Sequence, residues 1–545
     1  MKSVRLACIA VLLFLAIPSP DRVVGAQGQQ RPSLVVILVV DQMRADYLER
    51  YGARFSGGLQ RLMKEGAYFD HAAYPYLNTI TCAGHSTIGT GRLPYQHGMI
   101  LNEWFDRTAQ KSVACTADAS TKTIGYDGKE TASDSAKNLL VPTLADSIRE
   151  RGGHVVTLSI KARSAIGLAG HGADMAVWFN EERGTWLTSS AYASSFDPAL
   201  RRYIDAHPVT ADYGKTWERT YDVAAYKNTD EGEGERPSAG WTRTFPHPLT
   251  SASGNPDSAY FTLWLRSPYA DDYLGRMAAA MVDEKGLGTS GRTDFLGVSF
   301  SSLDLVGHQF GPNSHEVQDM VARLDRTIGA LLDHLDAKVG RGRYVLALTS
   351  DHGVAEIPEQ VGSGRTTSRD VSAAVDAALQ PIFGPGKYVA FSAYTDIYLS
   401  SGVLDRLKQN PAATRAALDA LRALPGIAFA FRGDEVSDPS HRTDADPVKR
   451  AAALNYYQGR SGDLIIVPKE KWIFSTSATT HGTLYPYDQR VPVIFFGAGV
   501  KAGRQSTPAT PADVAPTLAN MTNVPLPGTD GQALRSAMAW PPATR

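Results

Sequence analysis

Ser33 to Val40 reads SLVVILVV, a nearly unbroken apolar run rich in β-branched side chains, and it stops at Asp41. β-Branched residues favour extended backbone, and a strand with no polar alternation is one covered on both faces, as in a parallel sheet flanked by helices. The same grammar returns along the chain. His154 to Ile160 reads as a strand ending at Lys161, Asp294 to Ser301 as one ending before Asp304, and Tyr344 to Thr349 as one running into Asp351-His352. Pro492 to Gly497 is a further buried strand. Helices are predicted over Gly57 to Glu65, over Thr81 to Thr90 at a loop-to-helix junction, and over Pro142 to Arg151 with proline in its first turn. Val317, Met320, Val321, Leu324, Ile328, Leu331, Leu332 and Leu335 recur at helical spacing and make an amphipathic helix. Strands alternating with helices predict an α/β fold with a doubly wound, mostly parallel sheet. Ligands of such sheets bind beyond the carboxyl ends of the strands, where this chain places its polar residues.

Two stretches break the pattern. Residues 181–263 are rich in Trp, Tyr, Gly and charge with little periodicity, and are read as an insertion overhanging the site. Residues 365–462 carry their own helices, such as Ala412 to Leu424, and a strand near Tyr388 to Leu399, and are read as a second inserted subdomain. The core is then assembled from residues 27–180, 264–364 and 463–545. With 43% hydrophobic residues the chain has enough apolar side chains for a large interior, which excludes disorder as its overall description. A formal net charge of -1 gives no basic face for nucleic acid.

Lys2 and Arg5 precede an apolar run from Leu6 to Ile17, Pro18 and Pro20 break it, and Val24-Gly25-Ala26 offers small residues for cleavage. Residues 1–26 are therefore read as a signal peptide, and the mature chain as exported, periplasmic or secreted. That run is shorter than the roughly twenty residues a spanning helix needs, and no later segment does better. Cys8 leaves with the signal. For Cys82 and Cys115 an oxidising compartment permits a disulfide, and two free thiols are the alternative.

Four segments offer metal-type ligands: Asp41, Asp304 with His308, Asp351-His352, and His481. Carboxylate and imidazole without thiolate suit catalytic zinc or a similar divalent ion. Singly, each reads as a turn residue, a cap or a satisfied histidine; their joint order at strand ends is the signal. Thr81, at the start of a helix, sits where unpaired N–H groups favour an alkoxide and the anion it attacks, although threonine there also suits an N-cap. Asn102, in L-N-E-W-F-D, offers a side-chain N–H. Lys161 and Arg163, directly after a strand, can clamp phosphate oxygens. His71, His85, His97, His171 and His315 receive no ligand role.

These motifs resemble those of the alkaline phosphatase superfamily, specifically the bacterial Thr-nucleophile zinc alkaline phosphatases, close to the nucleotide pyrophosphatase/phosphodiesterase branch. The likeness runs from V-V-D-Q-M-R at Asp41 through T-S-D-H-G at Asp351 to T-H-G-T at His481. It implies an alkaline phosphatase-like fold with inserted cap or crown segments, and two Zn2+ with room for structural Ca2+. One zinc would be held by Asp304, His308 and His481, the other by Asp41, Asp351 and His352 with Thr81 beside it as nucleophile. Asn102, Lys161 and Arg163 match the family's phosphate-contacting set. Small-molecule phosphate monoesters are the implied substrates, and a monomer or dimer the expected state. Three aspartates, two zinc ions and the Lys161–Arg163 pair together balance a phosphate dianion plus an alkoxide, which favours a monoester over a singly charged diester. A phosphodiesterase or nucleotide pyrophosphatase on the same scaffold is the rival. A sulfatase would need a C/S-x-P-x-R context, and Cys82-Ala83-Gly84-His85-Ser86 lacks its proline and arginine.

Overall fold

Leu34–Val40 forms strand β1, and every residue in it is buried. The computed structural model describes residues 31–539; the segment assigned to the signal peptide lies outside the described residues. Val36, Leu38 and Val40 enter one hydrophobic cluster, while Val35, Ile37 and Val39 enter another. Consecutive strand residues point to opposite faces, so an unbroken apolar run is what a sheet covered on both sides requires. Four more strands join it: β2 (Val155–Ser159), β3 (Met175–Asn180), β4 (Asp294–Phe300) and β5 (Tyr344–Thr349). Their spatial order is β5-β1-β4-β2-β3, and every pairing is parallel. This parallel block is the centre of an 11-stranded sheet whose outer pairings are largely antiparallel. The doubly wound α/β architecture is therefore present.

Val493–Gly497 (β6) is buried as the sequence predicts, but it runs antiparallel to β5, with Val493 opposite Thr349. The reversal brings the start of β6, and the loop carrying His481 before it, to the edge where the parallel strands end.

Helices α1 (Thr81–Thr90), α2 (Ala162–Ala169), α3 (Ser302–Phe310) and α4 (His315–Lys338) cover the sheet or flank that edge. The helix expected from Pro142 starts later, at Leu144. Thr143 is its N-cap, in a capping box with Asp146, so the proline precedes the first turn. The strand expected near Tyr388 to Leu399 is instead a hairpin, Val389–Ala393 and Asp396–Leu399. Its reversal passes through Tyr394 at φ 50°. Asn and Gly are the residues usually read as turn signals there, and neither is present.

That hairpin joins Ile427–Arg432 and Leu464–Pro468 in a separate four-stranded sheet with its own apolar cluster. Of the regular elements in residues 181–263, Thr185–Ser189 is a strand of the main sheet, Pro198–Ala206 is a helix, and a second helix, Ser258–Leu265, begins before the stretch ends. Much of the rest is held by aromatic contacts, such as Trp217 against Phe245 at 5.1 Å, which leave no periodic trace in a sequence. Cys82 and Cys115 are joined in a disulfide, tying the start of α1 to the region after Asn102. Among the described residues no helix is long and apolar enough to cross a membrane.

Candidate active site

Parallel strands bring their carboxyl ends to one edge, and four of the five contribute polar residues there. Asp41 follows β1, Lys161 follows β2, Asp304 lies in the first turn of α3 after β4, and Asp351-His352 follows β5. Asp41, Asp351 and His352 converge as one group whose ligand atoms could share an ion. A second group is Asp304, His352 and His481, so His352 faces both. His308 is outside these two groups, yet its Nε2 lies 3.2 Å from Asp304 Oδ1. The rings of His352 and His481 stack with centroids 3.4 Å apart.

The donor chemistry fits divalent cations. Each histidine uses Nδ1–H on a backbone carbonyl: His308 on Thr479 at 3.0 Å, His352 on Gly353 at 3.0 Å, and His481 on Thr79 at 2.8 Å. That bond selects the tautomer whose Nε2 lone pair is free for a metal. Asp41 Oδ1 and Asp351 Oδ2 are buried without a hydrogen bond. Buried carboxylate oxygens are costly unless paired or bound to a cation.

Electrostatics point the same way except at His308, where burial acts to lower the imidazole but the Asp304 carboxylate outweighs it and raises that group. Burial raises Asp41 well above the usual carboxylate range, and its neighbours Asp304 and Asp351 add to the rise. Burial also acts to raise Asp304, but Lys161 and His308 outweigh it and hold that group well below. Burial lowers His352 and holds His481 well below the ordinary imidazole value, so both are neutral, as metal ligation requires.

Thr81 is the first residue of α1, and Ile80 is the N-cap. The hydroxyl caps no backbone N–H; its one hydrogen-bond neighbour among the described residues is His352 Nε2 at 3.4 Å. α1 is buried along its whole length, which keeps solvent from screening its N-terminal field. Close approach is possible because residue 84 is glycine: a Cβ there would fall 2.3 Å from the Asp351 carbonyl oxygen.

Asn102 is beside that helix start. Its Oδ1 accepts from Cys82 N at 2.9 Å, and its Nδ2 donates to the Tyr394 hydroxyl at 3.3 Å. Arg163, half-buried at the start of α2, has no hydrogen bond or ion pair among the described residues, and its Nε is buried without a partner. Lys161 lies at the same strand edge, between two of the carboxylates. Its Nζ bridges Asp41 Oδ2 at 2.7 Å and Asp304 Oδ2 at 2.5 Å, so its charge is shared with carboxylates.

Three further residues reach the site without a motif that announces them. Gln42, at φ 68°, donates Nε2–H to Asp304 Oδ1 at 2.7 Å, and its backbone N–H to Asp351 Oδ1 at 3.2 Å. His85, for which the sequence implies no ligand role, is in neither group but sits behind one: its Nδ1 lies 3.0 Å from the Thr81 carbonyl and 3.2 Å from Asp351 Oδ2. Its i,i+4 spacing from Thr81 on a helix start was the available clue. Tyr394 is the third, delivered by the distant hairpin. A cleft of about 550 Å³ opens from this floor, walled by Arg236, Arg266, His308, Tyr394 and Thr480.

A parallel α/β sheet with paired Asp/His clusters at its carboxyl edge, under a free hydroxyl on a helix start, defines a member of the alkaline phosphatase superfamily. The chain belongs to the type I phosphodiesterase/nucleotide pyrophosphatase family, whose model matches residues 35–490. It is 31% identical to alkaline phosphatase PafA of Elizabethkingia meningoseptica, over 91% of this chain and 92% of that one. It is 32% identical to alkaline phosphatase PhoV of Synechococcus elongatus, over 92% of each. A relative in Myroides odoratus, 32% identical over 95% of this chain and 96% of its own, is named a calcium-transporting ATPase. The crystal structure of PafA superposes with a TM-score of 0.85 at 30% identity, covering 94% of this chain and 99% of that one.

Proposed function

We propose that this chain is an exported zinc-dependent alkaline phosphatase, which hydrolyses phosphate monoesters through a phosphothreonine on Thr81. The observation that carries the reading is the uncapped Thr81 hydroxyl, 3.4 Å from His352 Nε2, at the N-terminus of a buried helix. One ion would be held by Asp41, Asp351 and His352, and one by Asp304 and His481 with His308 or His352. Bound there, two zinc ions would lower the pKa of the hydroxyl and stabilise the attacking and departing oxygens.

The chain's own residues do the positioning. Thr81 Oγ1 forms a bond to phosphorus while the ester oxygen departs with a proton as the alcohol. Water then replaces Thr81 Oγ1 on phosphorus, returning the hydroxyl and releasing inorganic phosphate. Arg163 and the Asn102 amide supply donors for the peripheral phosphoryl oxygens, whose charge must be held through both displacements. Gln42 keeps the Asp351 and Asp304 carboxylates oriented, and His85 lies against Asp351 from behind. Export through residues 1–26 and release as a free protein belong to the same reading.

Diester hydrolysis is the second reading, favoured by the family to which the matching model belongs. One experiment tests both: metal content by elemental analysis, with cleavage of an aryl phosphate monoester and its methyl diester by the same preparation. The proposal expects about two zinc ions per chain and a strong monoester preference; a diester preference replaces it with the second reading.

A further inference from the structure

Tyr394 stands at the reversal of a hairpin more than 300 residues from the nucleophile, on an inserted sheet that the proposed chemistry does not use. The hairpin is nevertheless bolted to the loop before Thr81. Thr395 Oγ1 donates to Asn78 Oδ1 at 2.5 Å, Asn78 Nδ2 donates to Asp396 Oδ2 at 3.1 Å, and the Asn78 backbone N–H donates to Asn455 at 3.2 Å. All three of these hydrogen bonds are buried, and Ala393 and Tyr398 enter the same apolar cluster as Ile80 and Cys82. Buried, fully satisfied networks of this kind hold geometry. They keep Tyr394 in a left-handed conformation that non-glycine residues seldom adopt.

What that conformation achieves is placement. The Tyr394 ring rests against Gly482, next to His481, where an added Cβ would lie 3.5 Å from ring carbon Cδ1. At its other end the phenol oxygen accepts from Asn102 Nδ2 at 3.3 Å. The amide orientation is settled by chemistry, because Asn102 Oδ1 must face the Cys82 N–H, which can only donate. The phenol hydrogen is therefore left as a donor, and it has no acceptor among the described residues. Arg163 Nε, whose charge reaches Tyr394, is a buried donor that also has none. A phenol donor on this amide and a buried, unpartnered guanidinium donor whose charge reaches that phenol describe a site for an anion.

We propose that Tyr394 contacts the substrate and sets its class. Its hydroxyl donates to a phosphoryl oxygen beside Asn102 and Arg163, and its ring fills the room a diester's second ester group requires. This rests on the phosphomonoesterase reading of Thr81, and it adds a residue from the inserted sheet to that site.

The test compares the native enzyme with Tyr394→Phe and Tyr394→Ala on the aryl monoester and diester pair, together with inhibition by inorganic phosphate. Tyr394→Phe keeps the ring and loses one donor to a charged oxygen. It should lower monoester kcat/KM about tenfold and weaken phosphate inhibition by a similar factor. Tyr394→Ala should also raise the diester-to-monoester ratio above that of Tyr394→Phe. Unchanged phosphate inhibition in Tyr394→Phe, or an equal loss on both substrates in Tyr394→Ala, overturns the assignment. A native enzyme without monoester activity defeats the underlying reading; native monoester activity with an indistinguishable Tyr394→Phe defeats only the role of Tyr394.

Discussion

Thr81 and Arg163 are both residues whose side chains do little for the fold, and for the same reason: each lacks the local partners its type normally takes. A threonine at a helix start ordinarily caps, whereas here Ile80 occupies that position and the hydroxyl is free. Thr81→Ala should lower kcat at least about a thousandfold while the melting temperature stays within a few degrees; monoester turnover and thermal unfolding measure the two. Arg163 carries a partly buried charge without an ion pair among the described residues, an arrangement that costs stability. Arg163→Ala should leave the melting temperature unchanged or higher, with monoester kcat/KM down about tenfold or more and diester cleavage less affected. Asp41, Asp304, Asp351 and His481 were legible because each follows or precedes a recognisable strand. Gln42 was not, because nothing in a side-chain pattern announces that a glutamine will adopt φ 68°.

Elements act here through how closely they approach. α1 lies so near the end of β5 that a methyl group on residue 84 would meet the Asp351 backbone oxygen at 2.3 Å and its Cβ at 2.6 Å. Neither atom belongs to a flexible tip, so Gly84→Ala must move the helix. A shift of about 1 Å at reacting groups can cost about a hundredfold in rate. Gly84→Ala should therefore lose about that factor in kcat with its far-ultraviolet circular dichroism retained. The antiparallel sense of β6 is equally consequential, since a parallel strand would have carried the His481 loop to the opposite edge. A buried apolar run reads alike in either direction, which is why Pro492 to Gly497 was recognised as a strand without its sense.

At the scale of the whole molecule, metal and proton linkage both reach beyond the site. If cations bind the folded chain and not the unfolded one, chelation should lower the melting temperature, and added zinc should restore it along with activity. The aromatic-rich region between residues 181 and 263 buries Glu235, and burial pushes that carboxyl up to about 8. Its folded value is raised above its unfolded one, so its contribution to stability is fully present below about pH 4.5. That contribution is lost as pH climbs to about 8, where the unfolded chain has already released the proton. Glu235→Gln should flatten this alkaline fall, with a melting temperature closer to wild type at pH 4 than at pH 9, where the variant is the more stable. Thermal scans across that range measure the slope.

Local pattern alone determined four of the five central parallel strands, the amphipathic α4 and the α/β class. Each of these is encoded within a window of about ten residues by which faces must be apolar. Tertiary structure decided what meets at the sheet edge: His352 facing both ligand groups, Lys161 bridging Asp41 to Asp304, and Tyr394 arriving beside Asn102. Most of those neighbours are far apart along the chain, Tyr394 and Asn102 by 292 residues, and strand pairing and buried hydrogen bonds bring them together, neither of which leaves a periodic mark in the sequence.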